Sequence, residues 1–161
     1  MKIKILLIVL LTSFFMNMNA QSKRYVRNYY RNGILKSEGW EEGNKRDGYW
    51  KLYHSSGNIS EMGHYKNDQK NGYWYSYSRG GILIEEGHYS KGEKNKWWLF
   101  YDDLGNLIHK CQLDKGIKNG YCLMYENEEL TSALKYRRGK KLKEWHDFKS
   151  FKRENNLLDL K

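Results

Sequence analysis

Two histidines are the first residues of this sequence whose spacing suggests chemistry. His64 and His88 are each followed by a tyrosine, and they occupy the same place in two successive copies of a recurring pattern. Residues one hairpin apart in an antiparallel sheet lie two strands, or about 9.5 Å, apart, so these imidazoles could not share a metal ion without further ligands. We therefore expect both histidines to lie on a half-exposed strand face and not to form a metal pair.

The two cysteines are the second set of reactive residues. Together with His109, Cys111 and Cys122 could supply three zinc ligands, but the sequence offers no fourth ligand nearby. The two thiols could also form a disulfide, or remain buried and free. The sequence predicts no metal and no cofactor, and it leaves the cysteines with these alternatives.

Carboxylates are the remaining candidates for catalysis. Glu61, Glu85 and Glu86 could carry out general acid–base chemistry only as a positioned pair in a concave site. The sequence contains neither a nucleophile motif nor a glycine-rich loop that would hold a phosphate. We therefore expect that this protein is not an enzyme.

The elements that position these residues recur with a fixed period of about 24 residues, which is the signature of a repeat array. One tyrosine column and one glycine column follow this period with little slippage. The tyrosine column is Tyr29, Tyr53, Tyr77, Tyr101 and Tyr125. The glycine column is Gly33, Gly57, Gly81 and Gly105.

Each repeat reads as a strand, a tight turn and a second strand. The aromatic run at residues 73–77 has strong strand propensity. The glycine that follows it suits a hairpin turn because glycine accepts positive φ at little cost. The pattern predicts an all-β fold, an extended antiparallel meander of about five hairpin repeats in a twisted open sheet. We expect about ten strands between residues 25 and 144.

An even period keeps each column of residues on one face of the sheet. With two-residue turns, the tryptophans would share the packed face with Ile59, Leu83 and Leu107, and Gly63 and Gly87 would lie against neighbouring indoles. The opposite face would carry a candidate aromatic surface, which could serve as a platform for sugar rings. A three-residue turn with a glycine bulge would change which residues oppose each other. The candidate aromatic surface consists of Tyr53, Tyr77, Tyr101 and Tyr125.

This repeat resembles a known family. The pattern Gly-Tyr-Trp-x-x-Tyr-x-x-x-Gly-x-(Ile or Leu)-x-x-Glu-Gly-x-Tyr, clearest at Gly48–Tyr65 and Gly72–Tyr89, is similar to the MORN-variant repeat. The resemblance implies a scaffold or interaction sheet without shared catalytic residues, and members are often labelled as antitoxin components of toxin–antitoxin systems. The later copies depart from the pattern, since Cys111 replaces a glycine, Cys122 a tryptophan and Glu129 the turn glycine.

The N-terminal segment Met1–Ala20 has the layout of a secretory signal peptide. Lys2 and Lys4 precede an apolar run, Ile5–Met16, and the segment ends in a small residue. The run is shorter than the roughly 20 residues needed to span a bilayer, although an uncleaved anchor is the alternative. We expect an exported protein whose mature chain is residues 21–161, located in the periplasm, in the outer envelope or outside the cell.

Cations concentrate in the turns between repeats of this basic chain, whose net charge is +10. In a meander these turns all lie along one edge of the sheet, and we call the predicted row the basic ridge. It could bind an anionic envelope polymer or lipid headgroups through its electrostatic field, or it could simply keep the protein soluble. The ridge residues are Lys45, Arg46, Lys70, Lys94, Lys96, Lys118, Arg137 and Arg138.

A disulfide between the cysteines is suggested by comparing the copies. Three earlier pairs place a glycine eleven residues before a tryptophan, as in Gly87 and Trp98, and both members become cysteine in the fourth. If Leu113 and Gly120 are opposed across the turn, the cysteines face each other on adjacent strands. An oxidising compartment would allow the bond to persist.

The repeat ends after residue 144, where an array needs a terminal cap. We expect the cap, residues 145–161, to follow the array of residues 21–144, with a final strand around Lys143–Phe148 and a short helix near Lys152–Leu160. The whole chain predicts a non-catalytic, exported protein-interaction or scaffold module of the cell envelope. The alternatives are binding of anionic polymer or lipid by the ridge, and antitoxin-like inhibition of a partner protein. The expected partner is a protein or an envelope component, and no nucleic acid is expected.

Overall fold

Eleven antiparallel strands form one open sheet in which each strand pairs with its sequence neighbours. The computed structural model describes residues 22–160, so the predicted signal peptide lies outside the described residues. The predicted all-β meander is confirmed, with the ten strands expected for the array and an eleventh where the final strand of the cap was expected. The strands are β1 (Arg24–Tyr29), β2 (Leu35–Glu42), β3 (Lys45–Tyr53), β4 (Ile59–Lys66), β5 (Gln69–Tyr77), β6 (Leu83–Ser90), β7 (Glu93–Tyr101), β8 (Leu107–Asp114), β9 (Ile117–Glu126), β10 (Glu129–Arg137) and β11 (Lys140–Trp145).

In the first four repeats, the turn within a repeat is a three-residue turn with a glycine in the left-handed region. Between β3 and β4, the His54 amide donates to the Asn58 carbonyl at 2.8 Å, and the Gly57 amide donates to the His54 carbonyl at 2.9 Å. Gly57 has φ +93°, a conformation that glycine adopts without steric cost. The turn is therefore the glycine-bulge form and not the two-residue form used to predict the faces.

This turn, with the bulge that follows it, moves one apolar column to the other face. Tyr53 is opposed to Ile59, whereas the preceding pair joins Leu52 to Glu61, so the register shifts by one residue. Opposed residues share a face, and a one-residue shift moves a side chain to the opposite side. The prediction that this column lies with the tryptophans is therefore wrong. The residues concerned are Ile59, Leu83 and Leu107, each opposed to a tyrosine.

The turns between repeats are two-residue turns that link into a row. In the β6–β7 turn, Lys91 and Gly92 both have positive φ, 51° and 83°, as tight hairpins of this kind require. The Gly92 amide donates to the Lys70 carbonyl, in the previous repeat, at 2.9 Å. Gly116 and Gly139 make the same link, one and two repeats later. The predicted edge of inter-repeat turns is thus a continuous hydrogen-bonded feature.

A row of tryptophans and glycines forms the core on one side of the sheet, which we call the tryptophan face. Trp50, Trp74 and Trp98 are 1–2% exposed, and each indole lies over a glycine of the preceding strand, as predicted for Gly63 and Gly87. Each indole Nε1 donates to a backbone carbonyl at 2.8–3.0 Å. Glycine leaves room for the ring, so the repeat buries its largest side chain within a single-layer sheet.

Two cysteines continue this row in the fourth repeat. Cys111 and Cys122 are opposed on β8 and β9, their Cα atoms are 4.0 Å apart, and their sulfur atoms are joined in a disulfide. The predicted opposition of Leu113 and Gly120 is wrong, because Leu113 pairs with Lys118. The register shifts between the two pairs, and Gly120 adopts φ +116° there. The shift lies between the cysteines and the β8–β9 turn. It places Cys111 opposite Cys122, whereas an unshifted register would place Cys111 opposite Gly120.

The C-terminal cap covers the other side of the sheet, which we call the tyrosine face. Strand β11 begins earlier than predicted, and helix α1 (Phe148–Glu154) and a 3₁₀ segment (Leu157–Leu160) replace the single helix expected near Lys152–Leu160. The helix starts at Phe148 because the Asp147 carboxylate accepts a hydrogen bond from the Ser150 amide at 2.8 Å. Phe151 of α1 is 4% exposed and packs against β9 and β11.

Candidate interaction surface

The tryptophan face is closed by its own charged side chains. The Lys70 ammonium lies 4.4 Å from the ring centroid of Trp74 and 2.6 Å from a carboxylate oxygen of Glu61. A cation above an indole is attracted by the ring and also shields it from water. The same arrangement recurs one repeat later in Lys94, Glu85 and Trp98. This face therefore offers little unsatisfied surface to a partner.

These contacts divide the predicted basic ridge into two groups. Lys70 and Lys94 lie on the tryptophan face, ion-paired as described above. Arg46 bonds to Asp68 at 3.0 Å and lies over the ring of Tyr65, 3.8 Å from its centroid. Lys118 lies 5.1 Å from the ring centroid of Tyr136. The remaining ridge residues are Lys45, Lys96, Arg137 and Arg138, all of them solvent-exposed.

The tyrosine face carries half-buried rings whose hydroxyls meet carboxylates. The Tyr53 hydroxyl donates to Glu38 at 2.7 Å, and the Tyr101 hydroxyl donates to Glu86. Burial, followed by the hydrogen bond to the carboxylate, raises the pKa of Tyr53 and that of Tyr101. Both phenols are therefore neutral at physiological pH and present uncharged aromatic surface with a polar rim.

Histidines and further tyrosines extend this surface across the strands. His64 and His88 each pack edge-on against a tyrosine of the neighbouring strand, with ring centroids 5.1 Å and 4.9 Å apart. Burial lowers the pKa of His88, and the positive charge of Lys96 adds to the effect. Among residues 22–160, no three His, Cys, Asp or Glu side chains are grouped so as to hold a metal ion. The histidines act here as ring-packing residues.

The candidate aromatic surface is not uniform along the chain. Tyr125 packs against the cluster under the cap, where the Tyr121 hydroxyl donates to Asn155 at 2.8 Å. Tyr53, Tyr77 and Tyr101 are half-exposed and lie beyond the cap. We call the uncovered part the open tyrosine face. It includes Tyr49, Lys51, Tyr53, Met62, Tyr73, Tyr75, Tyr77, Glu86, Leu99 and Tyr101.

Sequence reasoning missed the carboxylates of this face as partners of the tyrosines. Glu86 was considered only for acid–base chemistry, and Glu38 was not considered at all. A signal was present, since the spacing between Glu38 and Tyr53 is the same as that between Glu86 and Tyr101. Recurrent spacing of a donor and an acceptor across copies of a repeat predicts a recurrent contact.

These features define a class, a single-layer sheet of repeated hairpins with one closed and one open face. Within the described chain, residues 22–160, the helices are too short or too polar to cross a membrane. Residues 46–67 match a family model described as MORN repeat variant. The segment starts in β3 and contains all of β4, so the predicted resemblance is confirmed there. It indicates a repeat module of the kind that binds proteins or membranes, from a repeat family that is not enzymatic.

Comparison with solved structures finds a chain described as "Glycosylation Associate Protein (Gap123) complex from Streptococcus agalactiae". The identity is 14%, the TM-score is 0.40, and the match covers 87% of this chain. It covers 24% of that chain, so the present sequence spans about a quarter of its length. The comparison with curated proteins gives no match.

Proposed function

We propose that this protein is an exported, non-catalytic repeat module that binds another protein of the cell envelope through the open tyrosine face. The observation that carries the proposal is the difference between the two faces. The tryptophan face is closed by Lys70 and Lys94, whereas the tyrosines opposite remain half-exposed. Tyrosine is enriched in protein interfaces because it offers large, rigid contact area with a polar end.

The geometry of the face supports a protein partner. Its rings are held in place by hydrogen bonds, as in Tyr53 to Glu38 and Tyr101 to Glu86, so little side-chain freedom is lost on binding. A scaffold or an inhibitor of a partner protein would use such a surface in the same way. Sugar rings could also stack on it, and this is an outcome that the experiment below distinguishes.

The exposed part of the basic ridge supports a second candidate, binding of an anionic envelope polymer or lipid. Lys45, Lys96, Arg137 and Arg138 are exposed and lie in or beside the row of inter-repeat turns. Attraction through such a field weakens strongly with added salt, whereas contact with the tyrosine face depends less on it. Salt therefore separates the two candidates.

The proposal is tested by affinity capture from the protein's own envelope with the mature chain, residues 21–161. Tyr77→Ser should lose the captured protein, while the double change Arg137→Ser and Arg138→Ser should retain it at low and at high salt. Loss with the ridge variant, or on adding salt, would favour the polyanion candidate. Displacement by soluble envelope glycan, with no protein recovered, would favour sugar binding.

Export is tested separately on the native protein. Mass spectrometry should find an N-terminus at or near Gln21 in the envelope or outside the cell. A chain that retains Met1–Ala20 in the cytoplasm would contradict export, and binding by the open tyrosine face would then have to be sought inside the cell.

A further inference from the structure

Two hairpins of the sheet place a carboxylate in the same aromatic surroundings. Glu38 is opposed to residue 27 and accepts from the Tyr53 hydroxyl, while Glu86 is opposed to residue 75 and accepts from Tyr101. The two sets lie two repeats apart in the sequence, so each residue of one has a counterpart in the other. The hairpin between them has Met62 at the corresponding position and so has no carboxylate there.

The first site holds a guanidinium. Arg27, opposite Glu38, donates from Nε to the second carboxylate oxygen at 3.1 Å. The Arg27 guanidinium carbon also lies 5.6 Å from the ring centroid of Tyr25. Glu38 thus receives a tyrosine hydroxyl on one oxygen and an arginine on the other, with a second tyrosine ring beside the cation. This combination of charge-assisted hydrogen bond and ring contact is the usual way that proteins hold arginine.

The second site repeats this frame without the cation. Tyr101 takes the place of Tyr53, Tyr73 takes the place of Tyr25, and Tyr75 stands where Arg27 stands. The Tyr73 and Tyr75 rings are 5.1 Å apart and inclined by 58°, so they pack against each other, and Tyr75 is the residue opposed to Glu86. Among residues 22–160, Glu86 makes no ion pair with a lysine, arginine or histidine.

We propose that Glu86, with Tyr73, Tyr75 and Tyr101, binds an arginine side chain of the partner protein. The inference rests on the proposed function, since it names the chemistry that the open tyrosine face recognises. Arg27 shows that a carboxylate at this position of the repeat can hold a guanidinium and a tyrosine hydroxyl together, and at Glu86 the arginine would approach from solvent beside the Tyr75 ring. The residues opposed to Glu86 on its two neighbouring strands, Tyr75 and Leu99, are uncharged, so its negative charge selects a basic side chain. Arginine suits the site better than lysine because its planar group can stack on a ring while it donates to a carboxylate.

The test uses a small probe, so it does not depend on identifying the partner. N-acetyl-arginine methylamide is titrated into the mature protein at constant ionic strength, and ring signals of labelled tyrosines are followed by NMR. The signals of Tyr73, Tyr75 and Tyr101 should shift in a saturable manner. The lysine analogue should bind more weakly, and the uncharged citrulline analogue should produce no saturable shift.

Two variants and a control complete the test. Glu86→Gln keeps an acceptor for the Tyr101 hydroxyl but removes the charge, so the arginine probe should bind about tenfold more weakly or not at all. Glu93→Gln removes an exposed carboxylate at the start of β7, beside an inter-repeat turn, and should leave the titration unchanged. Tyr75→Arg reproduces the arrangement of Arg27, and the introduced guanidinium should occupy the site and block the probe.

The outcomes separate this inference from the proposed function. Equal shifts in the parent and Glu86→Gln, or no saturable shift in the parent, would overturn the arginine site even if Tyr77→Ser abolishes capture of a partner. Saturable, Glu86-dependent shifts would establish the site even if no partner protein is captured. Tighter binding of the lysine analogue would overturn the choice of arginine.

Discussion

Gly87→Ala is the substitution that most directly tests how the repeat buries its tryptophan. A Cβ atom at this glycine would lie 2.5 Å from Cδ2 of Trp98 and 2.7 Å from both Cε2 and Cγ. Real Cβ atoms essentially never approach so closely, and the atoms they meet belong to a rigid ring that is 1% exposed. The backbone of Gly87 is not in the left-handed region, so the substitution adds a steric contact and no backbone strain.

The expected loss of stability has two parts, overpacking around the indole and loss of its hydrogen bond. Overpacking of a core by one carbon costs about 1–3 kcal/mol. Moving the ring also breaks the hydrogen bond of 3.0 Å from Trp98 Nε1 to the His88 carbonyl, a further loss of about 0.5–1.5 kcal/mol. We therefore expect Gly87→Ala to lower the free energy of unfolding by about 1.5–4.5 kcal/mol. Complete removal of the ring from the core, about 3–5 kcal/mol, sets the upper limit.

Urea unfolding followed by tryptophan fluorescence measures this cost, and Gly80→Ala is the matched control. Gly80 also lies outside the left-handed region, and its nearest neighbour to an added Cβ is Ser78 Oγ at 3.7 Å, an ordinary contact. The control should be neutral or stabilising by up to about 1 kcal/mol. In a Trp98→Ala background, Gly87→Ala should cost almost nothing, because its target is gone. Equal midpoints for Gly87→Ala and the parent would refute the packing account.

Three further predictions concern the disulfide, the tyrosines and the cap. Thiol titration of the denatured, unreduced protein should find no free thiol, and two free thiols per chain would rule the bond out. Reduction should lower the free energy of unfolding by about 3 kcal/mol or less, because the ring closed by Cys111 and Cys122 is short. Burial raises the pKa of Tyr89 to about 12 from its ordinary value of 10.0, so its contribution to stability is complete below pH 10 and is lost as the pH rises towards 12. Tyr89→Phe should therefore lose less stability than the parent between these pH values, and an identical decline would contradict this role. Phe151→Ala should lower the free energy of unfolding by about 3 kcal/mol, because the ring is 4% exposed. Phe148→Ala, at a ring that is 62% exposed, should lower it by less than about 0.5 kcal/mol. Equal effects would show that α1 does not hold the cap in place.

The order of the strands could be predicted because the repeat is strictly local. With a constant period, each hairpin pairs with the next, and the column of Trp50, Trp74 and Trp98 stays on one face. In the next copy, Cys111 and Cys122 take the positions of Gly87 and Trp98. The two cysteines could therefore be predicted to oppose each other as that glycine and tryptophan do. Period and internal comparison thus predicted the meander and the opposition of the cysteines.

The face of an individual residue could not be predicted where the register shifts. Ile59 is two residues before Glu61, which predicts a common face, but the bulge between them separates the two. Nothing in the spacing distinguishes this glycine turn from a two-residue turn, because both favour glycine. The apolar column of Ile59 was therefore predicted on the wrong side.

The contacts of the ridge lysines were also beyond sequence reasoning. Lys70 was considered a turn residue, but the turn is only two residues long and Lys70 lies within β5. Its ammonium then extends over Trp74 towards Glu61, so it protects the core instead of lining an anion-binding edge. A cation beside a turn is compatible with either role until the turn length is known.

Site-specific photo-crosslinking in the protein's own cells tests the central claim, that the open tyrosine face binds a partner protein. A photoreactive phenylalanine replaces Met62, which lies between Lys51 and Tyr75 on that face. The control position is Leu104, which is 84% exposed in the turn between β7 and β8. We predict a discrete protein adduct at Met62 that is absent at Leu104 and is lost when Tyr77→Ser is added. No adduct at Met62, or the same adduct at both positions, would contradict the account.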